Sequence, residues 1–393
     1  MRREVDLVTL LQDAVADDAV PEALASLRPQ APAYGRMVEA LARYRTLAAE
    51  GGWPAVPAGE TLEPGATDPR VLAVALRLHA TGDLRAGHEG ELYDEELAEA
   101  VRRFQARHGL EPDAKIGPKT LDAMNVSAAD RAHQIELNLT RWRWLPQELG
   151  ERFVLVNIPS FDLWVFEGTE PVMQRRVIVG RSYRRTPVFS DLIRYIVFNP
   201  SWEVPPSIAV QDKLPLIQKD PSFLAQQGFK VYSGWGAEGP IDPATVDWSA
   251  LTRRSFPYRL RQDPGPLNAL GRVKIMFPNR FNVYLHDTPA RELFRQSDRD
   301  FSSGCIRVEQ PLDLAELLLR GAPGWDRAAI DRTVASNKTV TVSLPEPVPV
   351  HLQYWTSWVD ADGEVQFRRD LYGRDALLDE ALRTRREAIV SGG

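Results

Sequence analysis

Two residues nineteen positions apart could carry nucleophilic chemistry together. They are His286, in Val283-Tyr284-Leu285-His286-Asp287-Thr288, and Cys305, in Phe301-Ser302-Ser303-Gly304-Cys305-Ile306-Arg307-Val308. A thiol is mostly protonated at neutral pH and attacks only as the thiolate. An imidazole within reach can take that proton and later return it to a leaving amine. Cys305 is the only cysteine in the 393 residues, so it makes no internal disulfide. A lone cysteine is inert packing, an intermolecular bridge or a reactive thiol. The small, polar Ser302-Ser303-Gly304 approach is poor core material and argues for the reactive thiol. Gly304 lets backbone come close to a reacting carbonyl, so N–H groups around Ser303, Gly304 and Cys305 are candidates to hold an oxyanion.

Other chemistries find less support. The net charge of −6 argues against a nucleic-acid partner, which calls for a basic face. The histidines are His79, His88, His108, His133, His286 and His351, with no pair at short ligand spacing, so no metal is expected. No glycine loop of the phosphate-cradling kind occurs, and no cofactor is expected. No apolar run approaches the roughly 20 residues of a membrane span. The stretch Leu7–Ala16 is interrupted by Asp13 and does not read as an export signal.

The elements that must position these residues fall into several domains, as expected for this length. Residues 1–66 read as a helical scaffold segment ending in the Pro/Gly-rich stretch from Gly51 to Gly65. Residues 67–127 read as a compact helical module. Leu97, Val101, Phe104 and His108 line one face of a helix over 94–109, and Gly117-Pro118 opens the next. A bridging helix occupies 128–150, with Ala132, Ile135, Leu139 and Trp142 on one stripe. The tryptophans Trp142, Trp144 and Trp164 read as core. From Arg152 the period switches to two, giving strands over 153–159, 163–166, 172–180, 193–199, 273–277 and 281–286. Residues 151–345 are therefore expected to be the catalytic domain. The proline-rich stretch at about 201–271 has little strand pattern and reads as an inserted lid. Residues 346–393 read as an extension packing back on the scaffold. The fold class expected is multi-domain α + β, with a mainly β, sandwich-like catalytic domain and an α-helical module.

The pair HDTP…FSSGCIRV resembles the catalytic signature of the L,D-transpeptidases, in the form found in their large, multi-domain Gram-negative subgroup. NIPSFDLWVFEG, IVFNPSWEVPPSIA, NALGRVKIMFPN and PVPVHLQYWTSWVD extend the resemblance over about 150–373. FQARHGLEPDAKIGPKTLDAMN is similar to a three-helix peptidoglycan-binding module, with Asp113-Ala114 where Asp-Gly is usual. The wider superfamily often has a histidine two residues before the cysteine. That position is Ser303 here, which leaves His286 as the base. The resemblance implies a cysteine acyltransferase working on tetrapeptide stems of peptidoglycan, both as donor and as acceptor, with other wall-synthesis enzymes as further partners. Cys305 would attack diaminopimelate and expel terminal D-alanine, and a second diaminopimelate amine would resolve the thioester as a Dap–Dap cross-link. Water in place of the amine would make the protein a hydrolase, and a non-catalytic wall-binding protein is the third reading. The Asp287 backbone or side chain would orient His286. Arg307 would support the loop or bind a stem carboxylate. Ser302, Trp202 and Tyr284 would contact substrate, Trp202 with Pro205, Pro206 and Ser207 in the lid. Such a reaction is expected in the periplasm, with the thiol as a carbapenem target.

Overall fold

The computed structural model describes residues 5–391 apart from Ala86, Trp235, Ala237 and Glu238. Two compact units emerge, Gly150–Gln353 and a second made of Met1–Leu149 with Tyr354–Gly393.

The strands of the first unit, in chain order, begin with β1 (Arg152–Asn157), β2 (Asp162–Glu167), β3 (Glu170–Ile178) and β4 (Phe189–Phe198). Three lie in the lid: β5 (Trp202–Glu203), β6 (Phe229–Tyr232) and β7 (Arg259–Gln262). The rest are β8 (Val273–Met276), β9 (Leu285–His286), β10 (Ile306–Val308) and β11 (Val340–Gln353). Eight of them close into a barrel in the order β1-β11-β4-β8-β9-β10-β3-β2. The mainly β expectation holds, and closure leaves this sheet without an open edge. β2 alternates buried and half-exposed residues, whereas β1, between β2 and β11, is buried along nearly its whole length. β11 runs parallel to β1, and its register against β4 shifts between Ser343 and Val348. Pro345, Pro347 and Pro349 fall in or beside that stretch and cannot donate to a ladder, which accounts for the irregularity. The expected division at 345/346 falls inside this strand; the chain leaves the barrel unit after Gln353.

Two expectations about strands are corrected. The segment 281–284 is loop, because Asn279 ties it down: its amide donates to Phe277 O at 2.6 Å and to Val283 O at 2.8 Å. The lid, expected to have little strand, contains the antiparallel sheet β5-β7-β6. Its own core holds Trp202, Leu214, Ile217, Phe229, Val231, Trp248 and Leu260.

The second unit is mostly helical, with one hairpin of β12 (Ser357–Val359) and β13 (Val365–Phe367). Asp94 caps the helix Glu95–Arg107 through its side chain, and Leu97, Val101, Phe104 and His108 are all buried. The His108 ring stacks on Phe104, with centroids 3.8 Å apart, and so serves as core. Ala114, standing where glycine is usual, has φ +63°, and Gln105 Oε1 and the Tyr93 hydroxyl secure its N–H and carbonyl. Trp142 stacks on Trp355 at 4.5 Å, but Trp144 is 61 % exposed and is not core. Trp144 lies just past the end of the helix Ala128–Trp142, so the stripe does not reach it.

Arg107 is buried and donates to both carboxylate oxygens of Asp83, at 2.6 and 2.5 Å. Asp83→Ala leaves that guanidinium buried without its counter-charge, so the helical unit should lose about 3–5 kcal/mol. Calorimetry of the full chain reads this as an early, separate transition; a loss under about 1 kcal/mol would mean the pair is replaceable by water.

Candidate active site

β9 is the pivot of the site. It pairs antiparallel with β8, setting Lys274 opposite His286, and parallel with β10, setting Arg307 opposite His286. The Ile306 N–H donates to Tyr284 O at 3.1 Å, which holds Cys305 at the entrance of β10 beside Tyr284. Alternate residues of a strand share a face. Lys274, His286 and Arg307 therefore form one row across three strands. Tyr284 and Cys305 form the next row on the same face. The Tyr284 and His286 rings meet edge-on at 5.6 Å, and Lys274 Nζ lies 4.0 Å from the Tyr284 ring centroid.

The loop before Cys305 is fixed by hydrogen bonds of its own. The buried Ser302 hydroxyl donates to Cys305 O at 2.6 Å and accepts from the Gly304 N–H at 3.1 Å. Gly304 has φ +114°, which a side chain disfavours, and its carbonyl accepts from the buried Thr186 hydroxyl at 2.9 Å. Thr186 in turn accepts from the Gly180 N–H, where backbone packs so closely that a Cβ would sit 2.1 Å from Arg184 O. Arg184 donates to Ser303 Oγ at 2.9 Å and is ion-paired with Asp212 of the lid, so the lid and the cysteine loop share one guanidinium.

The protonation states follow from these contacts. His286 Nδ1 lies 2.5 Å from the Asp287 carbonyl, which can only accept, so Nδ1 carries the hydrogen and Nε2 keeps a lone pair. Burial, aided by the Arg307 charge, pushes the His286 pKa down to about 3. Burial also raises the Cys305 thiol above its ordinary value, against the opposing pull of Tyr284, Lys274 and Arg307. Cys305 is half-buried. At rest the two groups are therefore a neutral thiol and a neutral imidazole. The sulfur's polar neighbours include Tyr284 and Asn282 O, the latter at 3.8 Å.

The structure brings Cys305, His286, Tyr284 and Arg307 to one face, and it redistributes other roles expected from sequence. Ser302, expected at the substrate, is 3 % exposed and its hydroxyl is engaged within the loop. The Gly304 N–H, a candidate oxyanion donor, is committed to Ser302, whereas Ser303 is exposed beside Cys305. Asp287 orients His286 through its carbonyl; its carboxylate instead accepts from the Arg272 N–H at 2.8 Å. Trp202 belongs to the core of the lid, while Pro205, Pro206 and Ser207 are exposed. Arg307 Nε is buried without a hydrogen-bond partner. Lys274, Thr186 and Arg184 were missed. Lys274 alone had a sequence signal, since it alternates with Val273 and Ile275 in a strand leading toward His286. No group of three His, Cys, Asp or Glu side chains able to hold a metal occurs among the described residues. A cavity of about 530 Å³ lies elsewhere, lined by Asp313, Glu316, Arg320 and Trp325 and by none of the residues above.

Comparison with known proteins returns two domain families. Residues 151–330 match the YkuD L,D-transpeptidase catalytic domain, and residues 67–124 match a family described as "Putative peptidoglycan binding domain". A protein of Haemophilus influenzae named "Putative L,D-transpeptidase" is 36 % identical over 248 residues, 63 % of this chain and 49 % of the relative. The chain thus spans about half the length of that curated relative. Among solved structures, an L,D-transpeptidase from Mycobacterium smegmatis is 16 % identical, with TM-score 0.26 over 52 % of this chain and 58 % of the other. One from Stackebrandtia nassauensis is 11 % identical, with TM-score 0.28 over 76 % and 96 %. Scores this low add nothing to the fold assignment made from strand order and family match.

Proposed function

We propose that the chain, whose residues 151–330 match the YkuD L,D-transpeptidase catalytic domain and 67–124 a peptidoglycan-binding domain, forms Dap–Dap cross-links through a Cys305 thioester. Cys305 Sγ attacks the diaminopimelate carbonyl of a tetrapeptide stem while His286 Nε2 takes the thiol proton. The tetrahedral oxyanion rests against backbone N–H groups at Ser303 and Cys305. Collapse breaks the peptide bond, and the imidazolium returns its proton to the departing D-alanine amine. The side-chain amine of a second diaminopimelate then attacks the thioester, His286 accepts its proton, and the thiol is restored. The helical module holds the enzyme on its polymer, and the site of action is the periplasm, where that polymer lies.

The observation that carries this reading is the register of β8, β9 and β10, which sets a thiol and an imidazole on one face of the sheet. The Nδ1 bond to the Asp287 carbonyl supports His286 as the base, because it leaves Nε2 free to accept. Incubation with a defined disaccharide-tetrapeptide, followed by mass spectrometry, tests the reaction. The expected product is a dimer that has lost one D-alanine. Trimmed monomers alone would make the protein a hydrolase, and unchanged substrate would remove the enzymatic reading.

A further inference from the structure

Two cations flank the imidazole in the row that crosses the site, Lys274 on one side and Arg307 on the other. Both are half-buried, and burial lowers the pKa of each from its ordinary value. Neither makes an ion pair with a carboxylate within 4.0 Å among the described residues. Lys274 instead rests against the Tyr284 ring, and Arg307 keeps a buried Nε without a partner. The Arg307 charge is felt by Lys213 of the lid, and Arg307 itself feels that of Arg181. Glu292 offsets the Arg307 charge from a distance, but cations held in protein with no paired carboxylate are costly and suit a site that an anion joins.

We infer that Lys274 and Arg307 form a cationic clamp beside Cys305 for the free carboxylate of the amino acid that the acyl donor releases. The inference rests on the acyl-transfer reading above and adds a selectivity to it. In a donor, the leaving residue's carboxylate is attached to the carbon that bears the scissile nitrogen. A cation in the row next to the thiol is within reach of it, whereas a distant surface lysine is not. The clamp selects donors that end in a free acid and disfavours those ending in an amide. Once the leaving amino acid departs with its carboxylate, the row is free for an acceptor.

Two measurements on the full chain test this. In the first, Cys305 is alkylated by iodoacetate and by iodoacetamide, and the ratio of the two rates is taken. The ratio cancels the thiolate fraction, which both reagents share, and reads the local field. At low salt it should exceed the ratio for glutathione by about tenfold. It should fall at least about threefold in Lys274→Met and in Arg307→Met, and recover in Lys274→Arg. A ratio equal to that of glutathione, or one unmoved by either methionine, overturns the clamp. Thermal melts alongside identify a variant that has lost its fold, and the charge-keeping Lys274→Arg then carries the comparison. In the second measurement, tetrapeptide donors ending in D-alanine and in D-alaninamide are compared. The acid should be favoured in kcat/KM by about 10- to 100-fold, and Lys274→Met should erase most of that preference. Equal use of both donors by the wild type overturns the inference. If neither donor turns over while the alkylation ratio behaves as expected, the cationic site beside Cys305 stands, and its assignment to a donor's carboxylate falls with the acyl-transfer reading.

Discussion

Cys305→Ala is expected to abolish dimer formation from tetrapeptide stems, a loss of at least about 10³-fold in kcat. Cys305 is the chain's only thiol, and the nearby hydroxyls are poor substitutes. Ser302 is engaged with Cys305 O and the Gly304 N–H, and Ser303 accepts from Arg184. The same substitution should leave the fold almost unchanged, because thiol hydrogen bonds are weak, and the sulfur's neighbours are Tyr284 and Asn282 O, the latter at 3.8 Å. A change in stability within about 1 kcal/mol is expected. The loop keeps its shape through backbone and hydroxyl bonds that do not involve the thiol, above all Thr186 to Gly304 O and Ser302 to Cys305 O. Cross-linking by the alanine variant at more than about a hundredth of the wild-type rate would remove Cys305 from the nucleophile's role.

What could be read in the sequence was whatever rests on local pattern. The helix face carrying Leu97, Val101, Phe104 and His108 follows from a period of three to four, and all four residues are buried. The mainly β character of 151–345 follows from a period of two. Pairing between distant strands has no such signal. Nothing in Val340–Gln353 announces that it lies parallel to β1, and the two residues of β9 are too few to show a period. For Lys274 the alternation with Val273 and Ile275 marks a strand, but its importance lies in standing opposite His286, a fact of register and not of neighbourhood. In sequence Ser302 is a hydroxyl beside a candidate nucleophile, with no sign of where its own hydrogen bonds go. The positive φ at Gly304 instead turns its N–H onto Ser302, and the serine becomes a staple of the loop. The lid strands were hidden by their brevity and by the prolines around them. Trp202 opens that sheet, and an aromatic at the start of a two-residue strand looks the same in sequence whether it packs inward or lines a groove.

The pH dependence of acylation should show how the thiol and the imidazole share their proton. Burial holds His286 neutral down to about pH 3 and raises the Cys305 thiol above its ordinary value. Between those limits the resting pair is thiol and imidazole, not thiolate and imidazolium. The reactive anion is then scarce near neutrality, and each unit of pH raises it about tenfold until the thiol itself titrates. Acylation by a carbapenem should therefore rise steadily from about pH 6 to about pH 9, with no step at the ordinary histidine value. A plateau reached by about pH 6 would mean a preformed ion pair, and would overturn the protonation states assigned here. His286→Ala removes the internal proton acceptor and should slow acylation about 10²- to 10⁴-fold near neutrality, the usual contribution of a general base. The deficit should narrow as pH rises and hydroxide makes the thiolate directly. Intact-protein mass on wild type, His286→Ala and Cys305→Ser separates the two roles: a slow adduct on the alanine variant and none on the serine variant. Equal labelling of all three would overturn the dyad. The same depressed pKa bears on stability with a definite sign. Unfolding returns His286 to about 6.5, so the unfolded chain binds an extra proton below that pH. The stabilisation is complete above about pH 6.5 and declines as pH falls toward 3, by several kcal/mol at the acid end. His286→Gln, which carries no titrating proton, should flatten that part of the melting-temperature curve, and an unaltered slope would show that another group governs it.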